Sequence, residues 1–297
     1  MADKLHLNQA IISHFLELKA DAQPDKEILV FENSGSTPST TPDPADEIFT
    51  YEMLYQGSNK IAQAFLDAGL TSGDTYAVFM RNHAEFVLSM LAGPVMGAIM
   101  VPIDPRSQGQ RLKFLLTNSS AKAVVVSLDY LPALEAVLPD LPQIKTVFLV
   151  EKPGQTYEKQ INHPYLNEIL EQNTWDRVDQ QIMDVRHPFQ IIYTSGTTGD
   201  PKGVMIRNNR FGMFNIVTRL VWKYKPSDVL YIGLSLTHGN AQAVTLFPAI
   251  GTGVKAVISP KFTKSRIWDI CRAHGCTSFS LLGGMMAGIF NETPKKK

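Results

Sequence analysis

At 297 residues, with 44% hydrophobic and 19% charged residues, the chain has material for one large or two ordinary domains and the profile of a soluble globular protein. Lysine plus arginine and aspartate plus glutamate each number 28, so the zero formal net charge offers no reason to expect nucleic acid or an anionic membrane as partner. Only two cysteines, Cys271 and Cys276, occur, which argues against a disulfide-stapled secreted scaffold.

The N-terminus, Met1-Ala2-Asp3-Lys4, lacks the long apolar core of a signal peptide, so a cytoplasmic location is the default. An amphipathic helix is expected over Leu7–Ala20, with Leu7, Ile11, Phe15 and Leu18 on one face. Ile28–Phe31 reads as a strand, and the Ser/Thr/Pro-rich stretch Asn33–Glu47 as a loop with no core-forming residue. A return strand at Ile48–Phe49 leads to Thr50, an N-cap for a helix that buries Leu54, Ile61 and Phe65 and stops at Gly69. Thr75–Met80 is a strand, and Asn82 with Glu85 fits a capping box opening the next helix. Phe86–Ile103 runs eighteen residues without a charge. Gly93, Pro94, Gly97 and Pro102 divide it into a buried helix and a buried strand, so no membrane span is expected. Helices at Gln108–Asn118, Leu131–Leu138 and Tyr165–Glu171 alternate with strands at Ala121–Ser127 and Thr146–Val150. Beyond residue 204 the pattern resumes with helices at Asn209–Trp222, Ala241–Ala249 and Lys264–His274. The strands between and after them are Val229–Leu234, Val254–Ser259 and Thr277–Leu281. Strands alternating with helices imply an α/β fold with mostly parallel, covered sheets. Cys271, Cys276 and His274 would supply three metal ligands with no fourth nearby, so ordinary reduced thiols near a helix end are the better reading.

The most informative stretch is Ile191–Val204. An apolar strand, Phe189–Tyr193, runs into Thr194, Ser195, Gly196, Thr197, Thr198, Gly199, Asp200, Pro201 and Lys202. Glycines allow the backbone to turn sharply, and successive N–H groups then form an anion-binding concavity. The four hydroxyls add donors, and Lys202 supplies a mobile positive charge suited to a phosphate oxygen. The chemistry suggested is a cradle for a polyphosphate. The Walker A pattern is excluded, because Asp200-Pro201 separates Gly199 from the lysine, and Val204–Ile206 reads as a second strand where a helix would be needed. A flexible hairpin with a solvated lysine is the bland alternative.

Tyr193–Val204 resembles, at all twelve positions, the phosphate-loop signature of the adenylate-forming superfamily of acyl- and aryl-CoA synthetases, luciferases and peptide-synthetase adenylation domains. Phe49-Thr50-Tyr51-Glu52-Met53-Leu54 is similar to the family's Thr-Tyr-x-x-Leu helix start, and Gly97–Pro105 to its buried strand ending in Val-Pro-Ile-Asp-Pro. The resemblance implies two packed αβα subdomains. Residues 49–213 would form the first, with the phosphate loop; residues 1–48 would join residues 214–297 in the second. It also implies a β-barrel subdomain and a small C-terminal domain. No stretch before Lys297 matches the family's adenine, ribose and metal-binding segments or its C-terminal lysine, so the chain is expected to be the N-terminal part of a longer enzyme, inactive alone.

By the same resemblance the activity is that of a carboxylate–CoA ligase. It would use ATP, Mg²⁺ and CoA with a small-molecule carboxylic acid and release pyrophosphate and AMP. Thr194 to Gly199 would hold the nucleotide's phosphates, with Lys202 catalytic. His238 follows one predicted strand and precedes a helix, where open α/β sheets place ligands. A lone loop histidine is more often an ordinary packed or exposed residue. In the CoA ligase branch, however, a histidine at this point lines the acyl site, and His238-Gly239-Asn240-Ala241-Gln242 fits that branch. Ser235 and Thr237 depart from the proline and aromatic of many relatives. Gly283 and Gly284 would keep an acyl pocket wide, or simply open a turn. Two rivals stand beside the ligase: another adenylate-forming enzyme acting on a carrier thiol or oxygen, and a non-catalytic binding fragment.

Overall fold

A computed structural model describes residues 10–32, 46–151, 162–194 and 200–292 of the chain. Its first described helix, α1 (Ile12–Ala22), buries Ile12, Phe15, Leu16 and Ala20, positions three and four apart that form one stripe. That stripe is rotated from the expected face. Leu18 is 46% exposed, since it stands two positions from both Leu16 and Ala20 and so turns away from them. Leu7 lies outside the described residues, as does the segment 33–45 between β1 (Glu27–Phe31) and β2 (Glu47–Thr50).

Thr50 starts α2 (Tyr51–Asp67) as its hydroxyl suggests: Oγ1 accepts a hydrogen bond from the Met53 amide at 3.3 Å. The helix stops where Gly69 turns left-handed at φ +85, which lets the Leu70 amide reach the Phe65 carbonyl at 3.0 Å. Between these ends Leu54, Ile61 and Phe65 are fully buried. The chain then alternates through β3 (Thr75–Phe79), α3 (Ala84–Met96), β4 (Ile99–Ile103), α4 (Gly109–Asn118), β5 (Ala123–Ser127), β6 (Thr146–Val150), α5 (Leu166–Leu170), β7 (Pro188–Thr194) and β8 (Lys202–Arg207). The expected helix over Leu131–Leu138 is shorter, ending at Glu135 before a 3₁₀ turn that contains Pro139. These strands form a sheet in the order β6-β5-β3-β4-β7-β8, parallel throughout except for the antiparallel β7–β8 pair. All 13 residues of α3 and all five of β4 are buried, which accounts for the charge-free run. Among the described residues no helix is long and apolar enough to cross a membrane.

After β8, α6 (Asn209–Val217) passes into a π-helical turn at Thr218–Trp222, so the expected single α-helix changes its hydrogen bonding in its last turns. There follow β9 (Val229–Ile232), α7 (Gly239–Ala241), a second π turn at Gln242–Leu246, α8 (Phe247–Thr252), β10 (Lys255–Ile258), α9 (Ile267–Ala273), β11 (Ser278–Ser280) and α10 (Gly283–Phe290). The second sheet runs β11-β9-β10-β1-β2 and is parallel but for β1–β2. The expected division between residues 48 and 49 falls inside β2.

Successive strand residues face opposite sides, and the two sides of β3 show what each sheet face meets. Tyr76 and Val78 enter one core with Phe65 of α2, Phe86 of α3, and Ile232 and Ile258 of the other sheet. Ala77 and Phe79 enter a separate outer core with Leu112 and Leu116 of α4. The apolar faces of α2 and α3 thus share one interior with strands of both sheets.

Asn82 joins the sheets where their strands end. It does not cap α3: the N-cap is His83, with no side-chain capping bond. The buried Asn82 amide instead donates to the carbonyls of Leu234 at 2.8 Å and Ser259 at 2.9 Å, and accepts from the Leu236 amide at 2.7 Å. Three buried backbone groups outweigh one side-chain cap: each would cost about 1–3 kcal/mol if left unpaired, against about 1 kcal/mol for a cap. Glu85, the other half of the expected capping box, is likewise buried and pairs with His83 and with Asn167 Nδ2 at 3.1 Å. Asn82→Ala should lower the chain's unfolding free energy by about 3 kcal/mol in urea denaturation. An unchanged midpoint would show that these bonds are replaced without loss.

Candidate functional site

The β7–β8 hairpin presents the Ser/Thr/Gly segment. Thr194, the last residue of β7, is paired in register with Lys202, the first of β8, and its hydroxyl donates to the Lys202 carbonyl at 3.4 Å. Lys202 is therefore the first strand residue after the turn, and it is exposed. Ser195, Gly196, Thr197, Thr198 and Gly199 lie outside the described residues. Two features brace the hairpin's base. Tyr193 donates its hydroxyl to Asn118 Oδ1 at the end of α4, at 2.6 Å. Opposite it, Gly203 leaves room for the ring: a Cβ there would lie 2.9 Å from Ile191 Cγ2 and 3.3 Å from two Tyr193 ring carbons.

The His238 loop follows β9 and is shaped from within. The Ser235 and Thr237 hydroxyls are 2.8 Å apart, and the His238 amide bonds the Ser235 carbonyl at 3.1 Å. The hydroxyl pair occupies the two positions that the family resemblance marks as departures. Buried Gln242 donates to the Leu236 carbonyl at 2.8 Å, and Asn82 holds the Leu236 amide from the other side. His238 itself is the N-cap residue of α7 and is exposed, with Asn240 exposed beside it.

The fold places two further charged residues against this loop. Asp104, immediately after β4, puts Oδ2 4.0 Å from His238 Nε2, a charge contact longer than a hydrogen bond. Arg106 holds that carboxylate through Nε at 3.0 Å, Nη2 at 2.6 Å and its backbone amide at 2.9 Å. The Arg106 hydrogen bond keeps the Asp104 pKa below the usual carboxylate value, against the opposing effect of partial burial; the His238 charge contributes last. Arg210, on α6, lies over the Phe214 ring, and burial lowers its pKa. Its Nη2 would meet a Cβ at Gly239 at 3.0 Å, and Ile192 Cδ1 would meet the same Cβ at 3.5 Å. Gly239 thus brings the histidine loop against β7, two residues before Thr194.

The structure therefore brings together His238, Gly239, Thr194 and Lys202 at neighbouring strand ends. Gly283 and Gly284 stand apart from these contacts: they open α10, are exposed, and a Cβ at either would meet no atom within 4 Å. Asp104 was visible in the sequence only as part of a strand-ending Val-Pro-Ile-Asp-Pro. Arg210 carried no signal at all, since its approach to Gly239 exists only in the folded chain. A surface cavity of about 490 Å³ between α2, the start of β6 and Trp175 lies at the opposite strand ends and plays no part in this site.

The family model for the AMP-binding enzyme matches residues 16–297. A medium/long-chain-fatty-acid–CoA/3-oxocholest-4-en-26-oate–CoA ligase of Mycobacterium marinum is 27% identical over 274 residues, covering 86% of this chain and 47% of that protein. A 3-oxocholest-4-en-26-oate–CoA ligase of Rhodococcus rhodochrous is 29% identical, covering 80% and 45%. The chain thus spans about half the length of these relatives. Among solved structures, the inhibitor-bound N-terminal domain of FACL13 from Mycobacterium tuberculosis superposes with a TM-score of 0.80 at 22% identity. It covers 95% of this chain and 65% of that one, a likeness of fold.

Arg106→Ala should raise the Asp104 pKa towards its ordinary value, followed by carboxyl-carbon NMR titration. Because the folded value lies below the unfolded one, the pair contributes stability above the ordinary aspartate pKa and loses it as pH falls through the lowered folded value. The stability difference between the two proteins should therefore vanish in acid. Identical titration midpoints would contradict the assignment.

Proposed function

The chain belongs to the AMP-binding enzyme family, and from that premise we propose that it is the nucleotide- and acyl-binding part of an ATP-dependent carboxylate–CoA ligase. A carboxylate oxygen of the substrate attacks the α-phosphorus of ATP, forming an acyl-adenylate and expelling pyrophosphate. The CoA sulfur then attacks the acyl carbon, and AMP leaves. Positioning and charge stabilisation carry such chemistry, with little covalent help from the protein.

In this reading Thr194, Ser195, Gly196, Thr197, Thr198 and Gly199 hold the β- and γ-phosphates through amide and hydroxyl donors, and Lys202 steadies the departing pyrophosphate. His238, with Gly239 and Asn240, lines the acyl side next to the reacting carboxylate. Asp104 places a negative charge beside the imidazole, and Arg210 adds positive charge beside the loop. Gly283 and Gly284 leave the far acyl wall low. The observation that supports this assignment is the approach of Gly239 to Ile192 and Arg210, which sets the histidine loop beside the base of the phosphate hairpin. Among the described residues no group of three His, Cys, Asp or Glu side chains could hold a metal. Magnesium, when bound with the nucleotide, would neutralise charge on its phosphates.

The relatives named for fatty-acid and steroid carboxylates support an acid with a long or bulky apolar tail as substrate. Apolar pockets discriminate weakly per methylene, so a range of such acids should be accepted. Pyrophosphate release by the protein that carries this chain should be faster with fatty and sterol-type acids than with short hydrophilic ones; the reverse order would displace this substrate class. Lys202→Ala should slow adenylate formation by about 10²-fold or more while changing carboxylate affinity less. An unaltered rate of pyrophosphate release would remove Lys202 from its role.

A further inference from the structure

Helix α9 ends in a Schellman turn. Gly275 takes φ +63, its amide bonds the Arg272 carbonyl at 3.3 Å, and the Cys276 amide bonds the Cys271 carbonyl at 2.8 Å. In this motif the side chain three places before the helix cap meets the one two places beyond it, ordinarily in an apolar contact. Here both positions are cysteines, both free, with Cys271 buried and Cys276 half-buried in the same small core as Tyr231 and Ile267. With ordinary bond lengths, the backbone bond alone limits their Cα atoms to about 6.7 Å apart. A disulfide bridges Cα atoms separated by roughly 4.4–6.8 Å.

We propose that Cys271 and Cys276 form a redox-modification site, a dithiol that closes to an intramolecular disulfide on meeting hydrogen peroxide. The hydrogen bond from the Cys276 thiol lowers the Cys271 pKa, as does the Arg272 charge, while burial opposes both. Donating that bond raises the Cys276 pKa, and burial raises it further. Cys271 is accordingly the attacking sulfur. Its thiolate takes one peroxide oxygen, becoming a sulfenic acid as the O–O bond breaks, and the departing hydroxide takes up a proton to become water. Cys276 then attacks the Cys271 sulfur, the S–O bond breaks, and the hydroxyl leaves as a second water with the Cys276 proton. Two thiols are oxidised and one peroxide is reduced to two waters. The site lies on α9 and is independent of the activity proposed above.

Trypsin supplies a direct test, because cleavage after Arg272 separates the two cysteines. The intact chain is treated with peroxide, alkylated under denaturing conditions and digested. A cross-linked pair of peptides that splits on adding dithiothreitol, with both free thiols disappearing in parallel, is the expected result. In Cys276→Ser the reaction should halt at the sulfenic acid, so that dimedone labels Cys271 at least tenfold more than in the wild type. Two separately alkylated cysteines after peroxide exposure, a disulfide found only between chains, or sulfinic acid in place of the cross-link would overturn the proposal. The wild-type peptide map decides the matter even if the variant fails to fold.

Discussion

One buried side-chain amide, that of Asn82, fixes how the two sheets meet. Apolar packing between them is non-directional and would tolerate small slides. The Asn82 amide does not, because its two donors and one acceptor are spent on backbone groups of three particular residues, Leu234, Leu236 and Ser259. The residue stands three positions past β3, while its partners stand just past β9 and β10. Ends of strands from both sheets are thereby tied together, and the segment leading to His238 is anchored at its root.

From that anchor the site follows by short steps. Leu236 is held by Asn82 on one side and Gln242 on the other, so the turn that carries His238 has little freedom at either end. Asp104 meets the histidine from the first sheet's β4, and Arg210 meets Gly239 from the helix after the hairpin. Rigid strands thus supply positions, and loops at their C-terminal ends supply the chemistry. Gly239 matters here for its lack of a side chain, which is what allows the arginine and β7 to come so close.

Local signals in the sequence proved readable wherever the deciding interaction was also local. Thr50 caps its helix and Gly69 ends it through bonds within a few residues. The buried strands declare themselves as unbroken runs such as Val124-Val125-Val126. Asn82 was misread for the opposite reason: a capping motif is local, but the partners that won lie more than 150 residues away. Leu18 failed because periodicity locates a stripe without fixing its phase. The twelve-residue phosphate string was legible as a pattern, while the charges that surround its base, Asp104 and Arg210, belong to no motif and emerge only from the chain's return path.

The pairing of Thr194 with Lys202 has a consequence for how this hairpin can vary. Directly opposed residues share one side of a two-stranded ribbon, so threonine and lysine emerge together, while Tyr193 and Gly203 share the reverse. Gaining or losing a single amino acid within either strand would shift the register by one and invert that parity. The cation would swing to the wrong surface, and the tyrosine ring would face a neighbour bearing a Cβ. Single-residue changes of length within β7 or β8 are therefore incompatible with this pairing.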